Sequence, residues 1–428
     1  MIGQALSKLK RTDSVLWSID VGRMHARNNI IVAEDRAYLS SCGESWNSPD
    51  GRDGVYCVDL STTSIRWFTQ TRSDANEIAL IEEVILTGTD QGMCFAIDAA
   101  TGKILAEASL DDAIVTRPLE IEIAGRKAAI LISRSGTIVQ YNFQRHQFIS
   151  LGSTQNTITA NPIAIDSSSI LVGCDNGVVQ TVSFEDNTVK LRKLFELPRH
   201  KASSPYTFSL EVTGISSLIK TGDRIIASYI RNTYDRRPPI SCFSYKTGEK
   251  LWDAGRIPIT SKDERATFGN SRVVPVLYDG MLFSTFSYND SIHAFSLHSG
   301  KWAWRKRLDS SYFQNWASPI RADSTLYVPR INGVISVIDL HTKELRSSFS
   351  VEVFDVNSSP GDNFATVKER EPWPINRLDY ERGPFPGQEI LAGICSTPTP
   401  WKDQLLVGTV SGKLVCLNVS GRQSRRTD

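Results

Sequence analysis

The chain has 428 residues, 40% of them hydrophobic and 22% charged, a globular composition long enough for roughly three average domains. With 48 basic against 47 acidic side chains, the net charge of +1 supplies no global field to draw in nucleic acid or an anionic membrane. No stretch approaches the ~20 apolar residues of a membrane span.

Residues 1–13, "MIGQALSKLKRTD", form a leader. Ile2, Leu6 and Leu9 could line one side of a helix too short to be stable alone. The leader has neither a continuous apolar core nor a small-residue cleavage site, so it reads as no secretory signal and implies the cytoplasm. Residues 14–22, "SVLWSIDVG", then look like the last strand of a repeat whose beginning is missing.

That repeat emerges when the chain is aligned on a glycine after a short apolar strand. "LTGTDQGMCFAID" places Cys94, Ala96 and Asp98 two, four and six residues beyond Gly92. The same spacing recurs after Gly136, Gly177, Gly333 and Gly412. Period-two alternation indicates strands, and Gln-Gly, Asn-Gly and Ser-Gly indicate hairpin turns. A second turn comes next, as at Thr101-Gly102, Thr247-Gly248 and Ser299-Gly300, and then a strand that often carries tryptophan. Prolines 118, 162, 275, 319 and 398 mark the entrances to the units.

Each unit reads as four short antiparallel strands with no helix, a sheet that cannot bury both faces alone. Radial stacking around an axis solves this, and the fold expected is an all-β, eight-bladed β-propeller. Third strands begin near Val55, Met93, Thr137, Val178, Ile240, Ser291, Val334 and Lys413. The last unit stops after its third strand. "VLWSIDVG" is therefore read as the outer strand of blade 8, closing the ring. Residues 14–421 form the single domain, and 422–428 are a polar tail.

The best copies, "CFAIDAATGKILAEA", "CFSYKTGEKLWDA" and "HAFSLHSGKWAWRKR", resemble the PQQ-like (quinoprotein alcohol dehydrogenase-like) β-propeller repeat. The resemblance covers about residues 14–420. It implies that Trp17, Trp67, Trp252 and Trp304 dock against the neighbouring blade. Ala106 and Arg346 stand at the equivalent place in two other blades. The family includes quinone-dependent dehydrogenases that use calcium, and also non-catalytic scaffolds such as the propeller lipoprotein of outer-membrane barrel assembly. Fold alone does not choose between them.

The residues favour the scaffold members. No Cys-Cys pair is present, and Asp90, Asp175 and Asp223, the acids a calcium-assisted quinone site would draw on, fall at or near hairpin turns. His298 and His341 occupy equivalent turn positions, while His293 alternates with apolar strand residues and could face either way. Cys57, Cys94, Cys242 and Cys416 read as core thiols; Cys174 and Cys395, nearer turns, are the better candidates for reactivity. No catalytic residue, cofactor or metal ligand is assigned.

Departures from the repeat carry the binding expectation. The largest is 353–390, inserted between blades 7 and 8, with Trp373, Arg377, Tyr380, Arg382 and Phe385. Residues 43–54 carry Trp46, and residues 229–240 carry Arg236 and Arg237; both lengthen second-to-third-strand hairpins. Residues 196–212 precede blade 5, and 310–319 add Tyr312 and Trp316. Long loops in compact domains are commonly functional, and aromatics with arginines anchor interfaces. In an up-and-down blade all these connections leave from one end of the ring. The expectation is a cytoplasmic protein-interaction scaffold or accessory subunit with a protein partner, no nucleic acid and no membrane insertion. The alternative is a quinone- or small-molecule-binding enzyme with its site at the channel mouth.

Overall fold

The computed structural model describes residues 14–44, 49–185, 188–197, 214–229, 238–258, 273–286, 291–308, 317–330, 333–351 and 394–419, with two short strands at 364–365 and 389–390. Every regular element among the described residues is a strand, and eight four-stranded antiparallel sheets form an eight-bladed β-propeller.

Blade 1 comprises Ile30–Ala33, Arg36–Cys42, Asp53–Asp59 and Ser64–Gln70, and blade 2 Ala75–Ile81, Val84–Thr89, Met93–Asp98 and Ile104–Ser109. Blade 3 comprises Leu119–Ile123, Arg126–Ile132, Thr137–Asn142 and Gln147–Ser153, and blade 4 Ile163–Asp166, Ser169–Gly173, Val178–Glu185 and Thr188–Glu196. Blade 5 comprises Ile215–Thr221, Arg224–Tyr229, Ile240–Ser244 and Lys250–Asp253, and blade 6 Val276–Tyr278, Met281–Ser284, Ser291–Ser296 and Trp302–Arg307. Blade 7 comprises Ile320–Ala322, Thr325–Pro329, Val334–Asp339 and Leu345–Ser350. Blade 8 takes Thr399–Trp401, Gln404–Gly408 and Lys413–Asn418 from the C-terminal end and Val15–Asp20 from the N-terminal end.

Closure agrees with the sequence reading. Trp17 pairs with Cys416 and Asp20 with Lys413, so the first strand of the chain completes the last sheet. Without it, the Lys413–Asn418 strand would present an unpaired edge.

The core lies between blades rather than within them. Tyr38, Val55 and Cys57 of blade 1 pack on Ile78, Ile85 and Phe95 of blade 2. At the closing junctions Val337 and Ile335 of blade 7 meet Val407 and Val415 of blade 8. Leu406 and Leu414 of blade 8 in turn meet Ile30 and Leu39 of blade 1. Each such side chain contributes about 1.5–3 kcal/mol when fully buried. Third strands are buried almost throughout, with Val334–Asp339 covered at every position, whereas outer strands such as Val15–Asp20 alternate.

A β-bulge recurs at the same register in the outer strand of six blades, while blades 3 and 4 place theirs further along, at Leu151 and Leu194. Cys57 pairs with Trp67 but Val58 pairs with Ile65, leaving Arg66 as the extra residue. Leu16, Leu105, Leu251, Ala303 and Arg346 are skipped in the same way. A bulge adds one residue opposite the partner strand and increases the local twist. Here it turns the next side chain toward the neighbouring blade and leaves Leu16 and Leu251 outside, 48% and 46% exposed. The equivalence of Arg346 with the tryptophans is thereby corrected. Val337 pairs with Ser347, so Ser347 holds the tryptophan register in blade 7 and Arg346 is the bulge.

Candidate binding face

Second-to-third-strand hairpins and connections between blades leave the ring at one end, which the strand order places opposite the first-to-second-strand turns. The sequence-designated residues Trp46, Arg236, Arg237, Tyr312, Trp316, Trp373, Arg377, Tyr380, Arg382 and Phe385 all lie outside the described residues. Their anchors are described. Thr71 N–H donates to the Asp53 carbonyl (3.0 Å), Ile215 N–H to Cys174 (3.0 Å), and Val351 N–H to Gly333 (3.0 Å).

Two tryptophans fasten neighbouring blades at the third-to-fourth-strand turns, at the opposite end of the ring from the insertions. The Trp67 indole N–H donates to the Ala99 carbonyl of blade 2 at 3.2 Å, and that of Trp252 to the Leu297 carbonyl of blade 6 at 3.1 Å. Their rings lie against Gly102 and Gly300, where a Cβ would stand 2.7 and 2.5 Å from ring carbons. Both glycines also have positive φ, 75° and 68°. The Thr-Gly signal therefore serves a turn and an approach that a side chain would block. Trp17 packs beside Val58 and Leu60 of blade 1, and Trp304 beside Leu326 and Leu340 of blade 7.

A second inter-blade feature was not read from the sequence. Side chains and backbone at the entrances to the inner strands form a hydrogen-bonded belt through all eight junctions. Asn29 exchanges two bonds with the Ile78 backbone (2.8 and 3.0 Å). Asn76 reaches the Ile114 carbonyl (2.9 Å), and Asn161 accepts from Arg117 N–H (3.0 Å). Thr159 donates to the Ile215 carbonyl (2.7 Å), and Ser217 to that of Val273 (3.3 Å). Ser318 accepts from Val274 N–H (2.9 Å), Thr397 from Ser318 N–H (3.3 Å), and Thr399 donates to the Ile30 carbonyl (3.0 Å). In five blades the residue involved directly precedes an entrance proline: Arg117, Asn161, Val274, Ser318 and Thr397. Proline forces that residue into an extended conformation, holding it across the gap to the next blade.

Blades 2 to 4 add charge to the belt. The buried Glu77 carboxylate accepts from Arg117 Nε (2.7 Å) and from Asn161 Nδ2 (2.6 Å), tying three successive blades at one point. Arg117 stays half-exposed, and Glu77 raises the pKa of its guanidinium further. Nearby, Arg27 pairs with Asp90 at 3.2 Å, and Arg134 forks onto Asp112 at 2.8 and 3.0 Å. Asp111 accepts from Ser133 and Ser135, whose hydroxyls hold its pKa down. Each acid is matched by a local donor.

The remaining candidate groups are structural. All seven cysteines are buried. Cys174 and Cys395, expected to be the more reactive thiols, are instead 0% and 1% exposed, and burial pushes both up to about 12. A thiol so seldom ionised is a poor nucleophile. His293 faces the packing, 0% exposed between Phe286 and Phe295, and burial lowers its pKa to about 3. His298 lies within 3.2 Å of Arg224 on an exposed turn, and His341 sits edge-on to Tyr278. Asp223, in the first-to-second-strand turn of blade 5, accepts from Ser244 Oγ and Lys246 N–H and so ties that turn to the third-to-fourth-strand turn of the same blade. Among the described residues no group of three or more His, Cys, Asp or Glu side chains could hold a metal ion.

Comparison with known proteins agrees with this architecture. BamB from Moraxella catarrhalis superposes with a TM-score of 0.64 at 14% identity, covering 95% of this chain and 99% of that one. The computationally designed Ika8 protein gives 0.61 at 11% identity, covering 95% and 100%. At such identities the likeness is one of fold. No curated protein matches. The profile of the family described as outer membrane protein assembly factor BamB matches residues 3–192 and 237–427. The chain therefore belongs to the BamB family of PQQ-like β-propellers.

Proposed function

We propose that this protein is a non-catalytic interaction scaffold or accessory subunit that binds a protein partner through the ring face bearing its insertions. The observation that carries the proposal is topological: five departures from the repeat are anchored at the same end of the ring. A closed ring fixes the separations between those anchors, so a partner loses less of its binding energy to ordering them. Family membership supports an accessory role, because the family's description names an assembly factor.

The test is an affinity purification from native soluble and detergent extracts, with mass spectrometry, of the wild type and a variant lacking 353–390. Its fold is first checked by circular dichroism and thermal melting. A partner recovered with the wild type and lost with the variant supports the reading. Stoichiometric calcium or a quinone chromophore without any protein partner would overturn it in favour of a site at the channel mouth. Cytoplasmic residence is a separate clause of the proposal, tested by fractionation. Recovery in a periplasmic or membrane fraction overturns that clause alone.

A further inference from the structure

At the base of the second-to-third-strand hairpin of blade 1 sits a carboxylate with an unusual environment. Asp53 opens the third strand and is 0% exposed. Its Oδ2 accepts from Asp50 N–H at 2.7 Å, while Oδ1 is buried with no hydrogen-bond partner among the described residues. Asp50 passes the connection on, accepting from Glu44 N–H at 2.6 Å and Arg52 N–H at 2.7 Å. Its carboxylate lies against Gly43, where a Cβ would come within 2.3 Å. One buried acid thus ties both described ends of the hairpin through a second acid.

The charges around Asp53 do not favour its ionised form. Asp50 on its own loop and Asp90 from the blade 2 hairpin both repel a charge there. Cys42, on the adjacent strand, feels Asp53, Asp74 and Asp90, with Arg23 opposing them. Tyr56 Oη donates to the Arg52 carbonyl, and Arg52 faces Glu44 at 3.6 Å. Arg27 is engaged by Asp90. No cation forms an ion pair with Asp53 among the described residues. A carboxylate deprived of water, facing acids and left with one unpartnered oxygen is more stable neutral.

We propose that Asp53 is a pH-dependent latch: protonated, it stays buried and holds the hairpin's ends together; ionised, it loosens them. Burial raises its pKa from 3.8 to about 6. Because the closed form has the higher value, closure is strongest in acid and weakens as pH rises through 6. From those two values the open fraction increases about tenfold between pH 5.0 and 7.5. The inference concerns the hairpin itself and stands whether or not the face binds a partner.

Hydrogen exchange of the 43–54 peptide, read as protection relative to the intrinsic rate at each pH, tests it in the full chain. Wild type is expected to lose about tenfold protection from pH 5.0 to 7.5, and Asp53→Asn, shaped like the neutral acid, to show no such change. Equal pH dependence in both proteins, or none in wild type, overturns the latch. A measurement free of any variant is the carbon-13 titration of aspartate-labelled wild type. One carboxyl should titrate near 6, and all aspartates titrating below 4.5 would overturn the proposal.

Discussion

Thr399, in the inner strand of blade 8, donates its hydroxyl to the carbonyl oxygen of Ile30 in blade 1, across 369 residues of sequence and 3.0 Å of space. This bond closes at the channel wall the ring that Val15–Asp20 closes at the rim. The seam is therefore fastened at both radii, with packed side chains between them.

Substituting Thr399→Val keeps the shape and removes the donor, so the Ile30 carbonyl loses this partner. We expect a loss of about 1 kcal/mol, the usual net value of one such bond. Glu77→Leu should cost more, about 2 kcal/mol, because it strips Arg117 and Asn161 of a shared acceptor. Denaturant midpoints of the two variants check the order.

Two glycines with nearly the same φ separate conformational strain from steric block. Gly102 (φ 75°) lies under the Trp67 ring, whereas a Cβ at Gly125 (φ 70°) meets nothing within 4 Å. Gly125→Ala should cost about 1 kcal/mol, for the left-handed conformation alone. Gly102→Ala should cost about 1–3 kcal/mol more, since the indole must move and its bond to Ala99 weakens. Similar melting temperatures for the two variants would show that the ring does not depend on this approach.

His293 supplies a pH dependence opposite in sign to that of Asp53. Its folded pKa is lowered from 6.5 to about 3, so the stability it allows is present above 6.5 and lost as pH falls. Between pH 7.5 and 5.0 the loss amounts to about 2 kcal/mol, as the unfolded chain takes up a proton that the folded one refuses. Asp53 works against this loss in wild type, so the check is a difference: on going from pH 7.5 to 5.0, wild type should change in stability by about 2 kcal/mol less favourably than His293→Gln.

Removing the first strand tests the seam. Deleting residues 1–22 leaves Lys413–Asn418 as an exposed edge and removes Trp17 from the blade 8–blade 1 layer. The variant should melt lower and self-associate, an outcome read by light scattering. The milder Trp17→Ala should stay monomeric where wild type is monomeric and lose about 3 kcal/mol.

Much of this architecture is visible in the sequence because it repeats. The eight third-strand starts fall at or within two residues of their observed positions, and the tryptophan in "VLWSIDVG" marks the closing strand by its likeness to the other outer strands. The belt is not visible, although its punctuation is. Entrance prolines can be seen, but the groups ahead of them are Arg117, Asn161, Val274, Ser318 and Thr397, which share a geometry rather than a residue type. The Arg346 misassignment has a similar origin: one bulged residue shifts the pairing without changing the composition of the strand. Cys174 illustrates the limit of placing residues by turns, since it neighbours a hairpin and is still fully enclosed by blades 3 and 4.

The most direct test of the scaffold reading is site-specific photo-crosslinking in the native host. A photoreactive residue would be placed singly at Trp46, Arg236 and Tyr380, within the insertions 43–54, 229–240 and 353–390, and at Glu83, Asp279 and Asp323 in the first-to-second-strand turns. If the insertion-bearing end is the binding face, the first three positions capture the same protein partner and the second three do not. Capture from the turn end alone, or equal capture from both ends, would contradict it.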